Sequence, residues 1–136
     1  MILFIDDEPR YTTSYREELE LTLPDYEVVF HSTADSGLLF FQENIDKIEL
    51  LILDIMMSPG ESFEGQDTML GLRTGLRLYE KVREARPDLP IIIFTIIVDP
   101  VVTDYFSKER SCIFLRKDLF LPSELVEEVK KVLGLP

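Results

Sequence analysis

Charged and polar side chains follow or interrupt several strongly apolar runs of the chain. Asp6 and Asp7 come directly after MILFI, Asp54 comes directly after LLIL, Thr95 lies within IIIFTIIV, and Lys117 follows CIFLR. Carboxylates that lie close together raise one another's pKa, so three of them cannot all stay ionised without a cation. If the fold gathers these residues, they predict a site for a hard divalent metal.

The residue types in this set favour Mg²⁺ and a phosphoryl group. Mg²⁺ takes oxygen ligands, keeps several waters, and is typically held by one or two carboxylates together with a phosphate oxygen. Lys117 would add a point positive charge, and the Thr95 hydroxyl would donate a hydrogen bond to an anionic group beside it. Such a set stabilises a phosphoryl group on or near one carboxylate by position and charge.

Each of these residues, taken alone, has an ordinary structural explanation. An aspartate after a strand often forms a turn or caps a helix, a lysine is usually solvated, and a threonine is a common strand residue. The chemical interpretation therefore depends on the fold bringing the residues together.

The elements that must position them are visible as apolar runs that alternate with helical spacing. Strands are predicted at 1–5, 26–31, 49–54, 90–98 and 111–115. A helix is predicted after each strand. The first helix is predicted to start at Pro9, the second to be capped by Ser32 or Thr33, and the third to end before Pro87. The fourth helix is predicted to start at Asp99 and Pro100, and the fifth to end at Gly134.

Strict alternation of strands and helices predicts an α/β fold. We expect a three-layer, doubly wound parallel sheet of five βα units, with helices on both faces and right-handed crossovers. In such a sheet the carboxyl ends of all strands lie at one edge, where ligands bind. The polar residues named above would meet at that edge.

Size and charge exclude several classes of protein. The 136 residues fit one domain spanning 1–136. A formal net charge of −12 argues against direct nucleic-acid binding, which depends on cations that contact phosphates. The segment MILFIDDEPR lacks the basic start and long apolar stretch of a signal peptide, and no apolar run is long enough to cross a bilayer. We therefore expect a cytoplasmic protein without a membrane partner.

On these residues the chain resembles the receiver domain of two-component response regulators over nearly its whole length. The family's acidic pair after the first strand matches Asp6 and Asp7, and its phosphorylated aspartate matches Asp54. Its switch hydroxyl matches Thr95 and its lysine matches Lys117. The resemblance implies a flavodoxin-like, CheY-like sheet with strand order 2-1-3-4-5.

The resemblance also implies a ligand set and a switch. Mg²⁺ would be held by Asp7, by Asp54 and by the backbone carbonyl of Met56, with Asp6 acting mostly through water. Phe114, three residues before the lysine, matches an aromatic residue that swings between inward and outward rotamers in the family. Simple core filling is the alternative role for Phe114.

The function implied is that of a phosphoacceptor rather than an enzyme. Asp54 would take a phosphoryl group from a histidine kinase or a histidine phosphotransfer protein, and the acyl phosphate would later hydrolyse. Thr95 and Lys117 would move toward the new oxygens and bias a surface built from the fourth helix, fifth strand and fifth helix. That surface would bind a downstream protein or a second copy of the chain.

Two residues of the site depart from the family pattern. Asp118 follows Lys117, where the family commonly has a proline in a cis bond, and a cis bond before another residue is costly. We therefore expect a differently shaped loop before the last helix. Ile96 follows Thr95, where the family usually has a small residue, and we expect it to crowd the phosphoryl pocket and slow transfer or hydrolysis.

The third departure is the segment SPGESFEGQDTMLGLRTG, which makes the connection between the third strand and its helix unusually long. The extended loop is placed at about 58–72, and Leu72 with Arg73 is assigned to an early turn of the next helix. Its acids Glu61, Glu64 and Asp67 would gate the site, approach the metal or face a partner. A solvated mobile insertion is the alternative.

Cys112 and His31 are predicted to be structural. Cys112 is the only cysteine and lies within the apolar run CIFL, which is typical of a small buried hydrophobe. His31 ends the second strand, at the sheet edge away from the site in the implied topology, and is expected to be packed or partly exposed.

Two functions of other classes stay open. One is an atypical receiver-like interaction module that phosphorylation does not control, which Ile96, Asp118 and the insertion favour. The other is a metal-dependent phosphohydrolase, which is disfavoured because Asp6 and Asp7 are adjacent rather than two residues apart. Either a single-domain regulator or a fragment of a larger one fits the chain.

Overall fold

The computed structural model describes residues 1–69, 71–96 and 99–136. In these ranges the strands form one parallel sheet in the order β2-β1-β3-β4-β5, as the resemblance implied. The strands are β1 (Ile2–Ile5), β2 (Val28–His31), β3 (Leu50–Leu53), β4 (Ile91–Thr95) and β5 (Cys112–Arg116). The predicted α/β fold is confirmed.

Each strand is followed by a helix, and the last connection includes a short 3₁₀ turn at Lys117–Leu119. The helices are α1 (Pro9–Thr22), α2 (Ala34–Glu43), α3 (Thr74–Ala85), α4 (Pro100–Ser107) and α5 (Pro122–Leu133). Among the described residues, no helix has the length and apolar character that crossing a membrane requires.

The three layers follow from the alternation of side chains along the central strands. Leu3 and Ile5 of β1 join a core formed with α2, α3 and α4, whereas Ile2 and Phe4 join a second core formed with α1 and α5. Both pairs are fully buried, because a parallel strand covered on both faces carries apolar residues at every position.

The predicted helix boundaries are largely confirmed. The Thr33 hydroxyl accepts a hydrogen bond from the Ser36 backbone N–H at 3.1 Å, and Asp99 accepts one from Val101 N–H at 3.0 Å. Gly134 closes α5 with a left-handed φ of 69°, which glycine adopts without strain.

β2 begins at Val28, two residues later than predicted, and three other strands differ from the prediction by one residue at one end or both. Two boundaries differ more clearly. β4 ends at Thr95 and not at residue 98, and the last two positions of the predicted strand, Ile97 and Val98, lie outside the described residues. Leu72 and Arg73 do not belong to a helical turn: α3 begins at Thr74, with Arg73 as its N-cap. Positive φ values of 50° at Met69 and 94° at Gly71 bend the chain before the helix.

The extended loop at 58–72 packs against the domain in a series of turns. The Phe63 side chain is 1% exposed within the core on the α2 and α3 side. The Asp35 carboxylate of α2 accepts hydrogen bonds from the backbone N–H groups of Glu61 at 3.0 Å and Ser62 at 2.8 Å. The segment is therefore anchored at its centre by Phe63 and by Asp35, whereas Glu61, Glu64 and Asp67 are exposed to solvent.

Candidate metal centre

The carboxyl edge of the sheet gathers the predicted acids. Asp6 follows β1 and Asp54 follows β3, and these strands are hydrogen-bonded neighbours. Asp6, Asp7 and Asp54 each offer a carboxylate oxygen, and these oxygens lie within 4.8 Å of one another. Asp6 and Asp54 are buried at 0% and 4% exposure, whereas Asp7 is exposed.

Lys117 lies in the 3₁₀ turn that follows β5, and its side chain reaches the acids that follow β1 and β3. Its ammonium group forms an ion pair with Asp6 Oδ2 and lies 3.3 Å from Asp54 Oδ2. The lysine is 2% exposed, because the 3₁₀ turn after β5 directs its side chain inward. The predicted convergence of the acids and the lysine is therefore present.

Backbone groups fix the two buried carboxylates. Asp6 Oδ1 accepts a hydrogen bond from Glu8 N–H at 2.8 Å, and Asp54 Oδ1 accepts one from Ile55 N–H at 2.8 Å. In each carboxylate, one oxygen accepts a hydrogen bond from a backbone N–H and the other faces the Lys117 ammonium. Both side chains are therefore held in one orientation.

Burial, and after it the charge of neighbouring acids, raises the pKa values of Asp6 and Asp7. Burial, followed by the charge of Asp54, raises the pKa of Asp6 to about 6, although Lys117 opposes the change. Burial, Asp54 and Glu8 also raise the pKa of Asp7. Burial lowers the pKa of Lys117, but the attraction of Asp54 and Asp6 outweighs it, and the net direction is upward. Lys117 is therefore an ammonium ion at neutral pH.

A cleft of about 140 Å³ opens above the acids. The residues that line it are Asp7, Glu8, Tyr11, Asp54, Met56, Ile96 and Lys117. Met56 and Ile96 contribute side chains that are 36% and 48% exposed, so apolar atoms flank the mouth of an acidic cleft. The position of Ile96 beside the cleft agrees with the crowding expected from the sequence.

The donor set fits a hard divalent cation. Carboxylate oxygens that surround an open cleft are the ligands that Mg²⁺ prefers, because it keeps several waters. Asp7 and Asp54 line the cleft, and so does Met56, whose backbone carbonyl is the third implied ligand. Asp6 lies behind them against Lys117, which suits a contact through water.

The loop that follows Asp54 is held by the start of α3. Gly75 N–H donates to the Ile55 carbonyl at 2.7 Å, and the Thr74 hydroxyl donates to the Met57 carbonyl at 2.5 Å. A Cβ atom at Gly75 would lie 2.1 Å from the Asp54 carbonyl oxygen, so only glycine permits this approach. The sequence analysis did not identify this glycine.

Thr95 and Phe114 lie in the sheet beside the site. Thr95 is fully buried at the end of β4, and it is not among the described residues that line the cleft. Phe114 of β5 is half-buried, and its ring centroid lies 6.1 Å from that of Phe106 in α4. Their predicted switch roles stay predictions.

Other predicted residues lie apart from the acidic cluster. Within the described ranges, the cluster that could hold a metal does not include Glu61, Glu64 or Asp67. The ring of His31 packs 4.9 Å from that of Phe40, and burial lowers the pKa of His31. This packing agrees with the structural role predicted for His31.

Tyr11 of α1 and Glu8, which precedes that helix, line the cleft but were not predicted from the sequence. Lys117 Nζ lies 5.3 Å from the centroid of the Tyr11 ring. The signal available in the sequence was a second tyrosine one helical turn later, at Tyr15, because residues four apart share a helix face.

Comparison with known proteins supports the fold. No protein-family model matches the chain, and no curated protein sequence matches it. Solved structures do match. The receiver domain of the hybrid histidine kinase CckA is 26% identical, with a TM-score of 0.68 and 97% of each chain covered.

Two further structures extend the likeness. A response regulator receiver domain protein from Clostridium thermocellum is 24% identical, with a TM-score of 0.76, and covers 98% of this chain and 93% of its own. A CheY-like receiver domain protein from Methanospirillum hungatei JF-1 is 24% identical, with a TM-score of 0.67, and covers 98% and 92%. The resemblance to receiver domains that the sequence indicated is confirmed.

Proposed function

We propose that the chain is a phosphoacceptor receiver domain of a two-component response regulator, with Asp54 as the acceptor and Mg²⁺ as its cofactor. The observation that carries the proposal is the convergence of Asp6, Asp7, Asp54 and Lys117 at the carboxyl edge of a receiver fold. When all four groups are ionised, the three carboxylates and the one ammonium leave a net charge of −2, which one divalent cation would balance.

The chemistry would proceed by in-line transfer. A carboxylate oxygen of Asp54 attacks the phosphorus of a phosphohistidine, the P–N bond breaks, and the electron pair stays on the imidazole nitrogen, which is protonated. Lys117 would stabilise the negative charge on the transferring oxygens. Asp7, Asp54 and the Met56 carbonyl would hold Mg²⁺, which would supply neutralising positive charge to the transferring oxygens.

Hydrolysis would reset the acceptor. A water oxygen attacks phosphorus, the bond between phosphorus and the Asp54 oxygen breaks, and its electron pair returns to the carboxylate as inorganic phosphate leaves. The chain catalyses only its own phosphorylation and dephosphorylation in this scheme, and in that sense we do not class it as an enzyme.

The switch and the partners belong to the same proposal. Phosphorylation would draw Thr95 toward the new oxygens and shift Phe114, which changes the face formed by α4, β5 and α5. A downstream protein, or a second copy of the chain, would bind that face. The phosphodonor would be a sensor histidine kinase or a histidine phosphotransfer protein, and we propose a cytoplasmic location.

A second candidate is a receiver-like interaction module that phosphorylation does not control. The observation in its favour is that Ile96 flanks the cleft where the phosphoryl group must enter. An apolar branched side chain at that position would hinder transfer without disturbing the fold.

Intact-protein mass spectrometry separates the two candidates. The protein is incubated with phosphoramidate and MgCl₂, and a matched sample contains EDTA. The proposal predicts the added mass of one phosphoryl group, lost in EDTA and absent from Asp54→Asn. An unmodified wild-type protein after long incubation would favour the interaction module.

A further inference from the structure

The aromatic ring of Tyr11 lies beside Lys117 in the cleft. The Tyr11 side chain lines the cleft and is 44% exposed. Lys117 Nζ lies 5.3 Å from the centroid of the Tyr11 ring and 5.9 Å from that of Phe94. The ammonium group therefore has carboxylates on one side and aromatic rings on the other, an arrangement in which the ring electrons attract the cation.

Tyr15, one helical turn after Tyr11, packs against the Tyr11 ring. The rings of Tyr11 and Tyr15 stack with centroids 6.0 Å apart and an angle of 20° between their planes. Tyr15 is 7% exposed and meets Phe94 edge to face at 5.1 Å. Because Tyr15 is fixed in the core, it holds the Tyr11 ring beside Lys117.

The tyrosine hydroxyls also hold the backbone that carries the lysine. Tyr15 Oη donates to the Phe120 carbonyl at 2.5 Å and lies 3.4 Å from the Lys117 carbonyl. Tyr11 Oη lies 3.5 Å from the same Lys117 carbonyl. Helix α1 thus contacts both the side chain of Lys117 and the turn that positions it.

We propose that Tyr11 is a positioning residue for Lys117 and that its ring sets how long a phosphoryl group stays on Asp54. The inference rests on the proposed function and names a regulator of that same site. The ring holds the ammonium in place from the solvent side. It also covers that wall of the cleft against the water that must approach phosphorus during hydrolysis.

The geometry of the cleft explains why one ring has this effect. The cleft holds only about 140 Å³, and its apolar walls are Tyr11, Met56 and Ile96. Because these side chains flank the mouth of the cleft, water that attacks a phosphoryl group on Asp54 must enter between them. Truncation of the largest of them widens the entrance and leaves Lys117 open to solvent.

The test compares lifetimes of the phosphorylated protein. Wild type, Tyr11→Phe, Tyr11→Leu and Tyr11→Ala are phosphorylated with phosphoramidate and Mg²⁺, the donor is removed, and loss of the phosphoryl mass is followed. We expect Tyr11→Ala to lose the group about five- to tenfold faster, and Tyr11→Phe to stay within about twofold of wild type, since the ring is kept. Leu21→Ala is the matched control: Leu21 is an apolar residue on α1, 78% exposed and outside the cleft lining.

An NMR readout separates positioning from general destabilisation. A ring that faces Lys117 shifts the side-chain resonances of that lysine through its ring current. The part of the shift that comes from Tyr11 should persist in Tyr11→Phe and disappear in both Tyr11→Leu and Tyr11→Ala, whereas the part that comes from the Phe94 ring, 5.9 Å from Lys117 Nζ, should stay in every variant. Tyr11→Leu keeps apolar bulk but lacks the ring, so it should lose the phosphoryl group faster than Tyr11→Phe, and it covers the case in which the alanine variant folds poorly.

The outcomes distinguish this inference from the proposed function. If wild type is phosphorylated but Tyr11→Ala keeps the wild-type lifetime, or Tyr11→Phe is as fast as Tyr11→Ala, the inference alone is refuted. If wild type is not phosphorylated at all, both the proposed function and the inference fail.

Discussion

Lys117→Met and Asp54→Asn are expected to change the free energy of unfolding in opposite directions when no divalent metal is present. Lys117 is the cation that the described structure places between Asp6 and Asp54, and all three side chains are at most 5% exposed. Methionine fills a similar volume but leaves the two carboxylates without that charge. Asparagine at position 54 removes one of the competing negative charges and keeps the shape.

The magnitudes follow from the pKa of Asp6. It is raised from 3.8 to about 6 by burial first and by Asp54 second. One pH unit corresponds to about 1.4 kcal/mol, so ionised Asp6 already costs the folded state about 3 kcal/mol at pH 7.5. Removal of one partner of a buried ion pair typically costs about 3–5 kcal/mol, and we expect about 3 kcal/mol for Lys117→Met. Asp54→Asn should gain about 1 kcal/mol, because the repulsion on Asp6 and Asp7 is relieved.

The pH dependence has a defined sign. Folded Asp6 binds its proton more tightly than unfolded Asp6, so the folded state is favoured at low pH and loses that advantage as pH rises from about 4 to about 6. The deficit of Lys117→Met should therefore be smaller at pH 5 than at pH 7.5, since a protonated Asp6 needs no cation.

Urea unfolding followed by circular dichroism measures these differences in EDTA at both pH values. Circular dichroism is the suitable probe, because the sequence contains no tryptophan whose fluorescence could report unfolding. Equal destabilisation by the two substitutions, or no loss in Lys117→Met at pH 7.5, would refute the electrostatic reasoning.

Three further substitutions or reactions test the surroundings of the site. Gly75→Ala should lower the free energy of unfolding by about 2–3 kcal/mol and disturb the acceptor loop, because its Cβ would lie 2.1 Å from the Asp54 carbonyl oxygen. Phe63→Ala should cost about 3 kcal/mol in urea unfolding, because a 1% exposed ring anchors the loop at 58–72. The Cys112 thiol should react with iodoacetamide at pH 8 about a thousandfold more slowly in the folded than in the unfolded protein, because burial raises its pKa to about 12.

The two substitutions each have a control variant within the chain, and the unfolded protein is the reference for Cys112. Gly65→Ala tests positive φ alone, since φ is 82° there and no atom lies within 4 Å of its added Cβ. Leu39→Ala removes an apolar side chain that is 55% exposed and should change stability little. The steric account of Gly75 is wrong if Gly75→Ala lowers the free energy of unfolding no more than Gly65→Ala does. The anchoring account of Phe63 is wrong if Phe63→Ala lowers it as little as Leu39→Ala does. A Cys112 thiol that reacts fast in the folded protein would contradict the third prediction.

The strands and most helix ends were predictable because they depend on local patterns. Continuous apolar runs mark strands that are covered on both faces, and Thr33 and Asp99 cap helices through their own side chains. The end of β4 was not predictable, because the apolar run continues past Thr95 to Val98. Nothing in that run indicates the residue at which β4 stops pairing with its neighbours. Leu72 has helical spacing relative to Leu76, but α3 begins only at Thr74, because Arg73 before it has the non-helical φ of −127° and ψ of 21°.

The acids and the lysine of the site were predictable for a topological reason. Parallel strands end at one edge, so residues that follow the strands must meet there. Tyr11 and Gly75 were not, because their roles depend on how α1 packs on the turn after β5 and how α3 packs on the chain after Asp54. The Tyr11 and Tyr15 spacing shows that the two rings share a helix face, but it does not show that the face packs on the turn after β5, because that contact links distant parts of the chain.

The most direct test of the central claim is a crystal structure with Mg²⁺ and beryllofluoride, a mimic of the phosphoryl group. The account predicts one cation bound by Asp7, Asp54 and the Met56 carbonyl, and the mimic on Asp54 within hydrogen-bond distance of Lys117 Nζ. A cation held by other residues, or a Lys117 that pairs only with Asp6 while Asp54 carries no mimic, would contradict it.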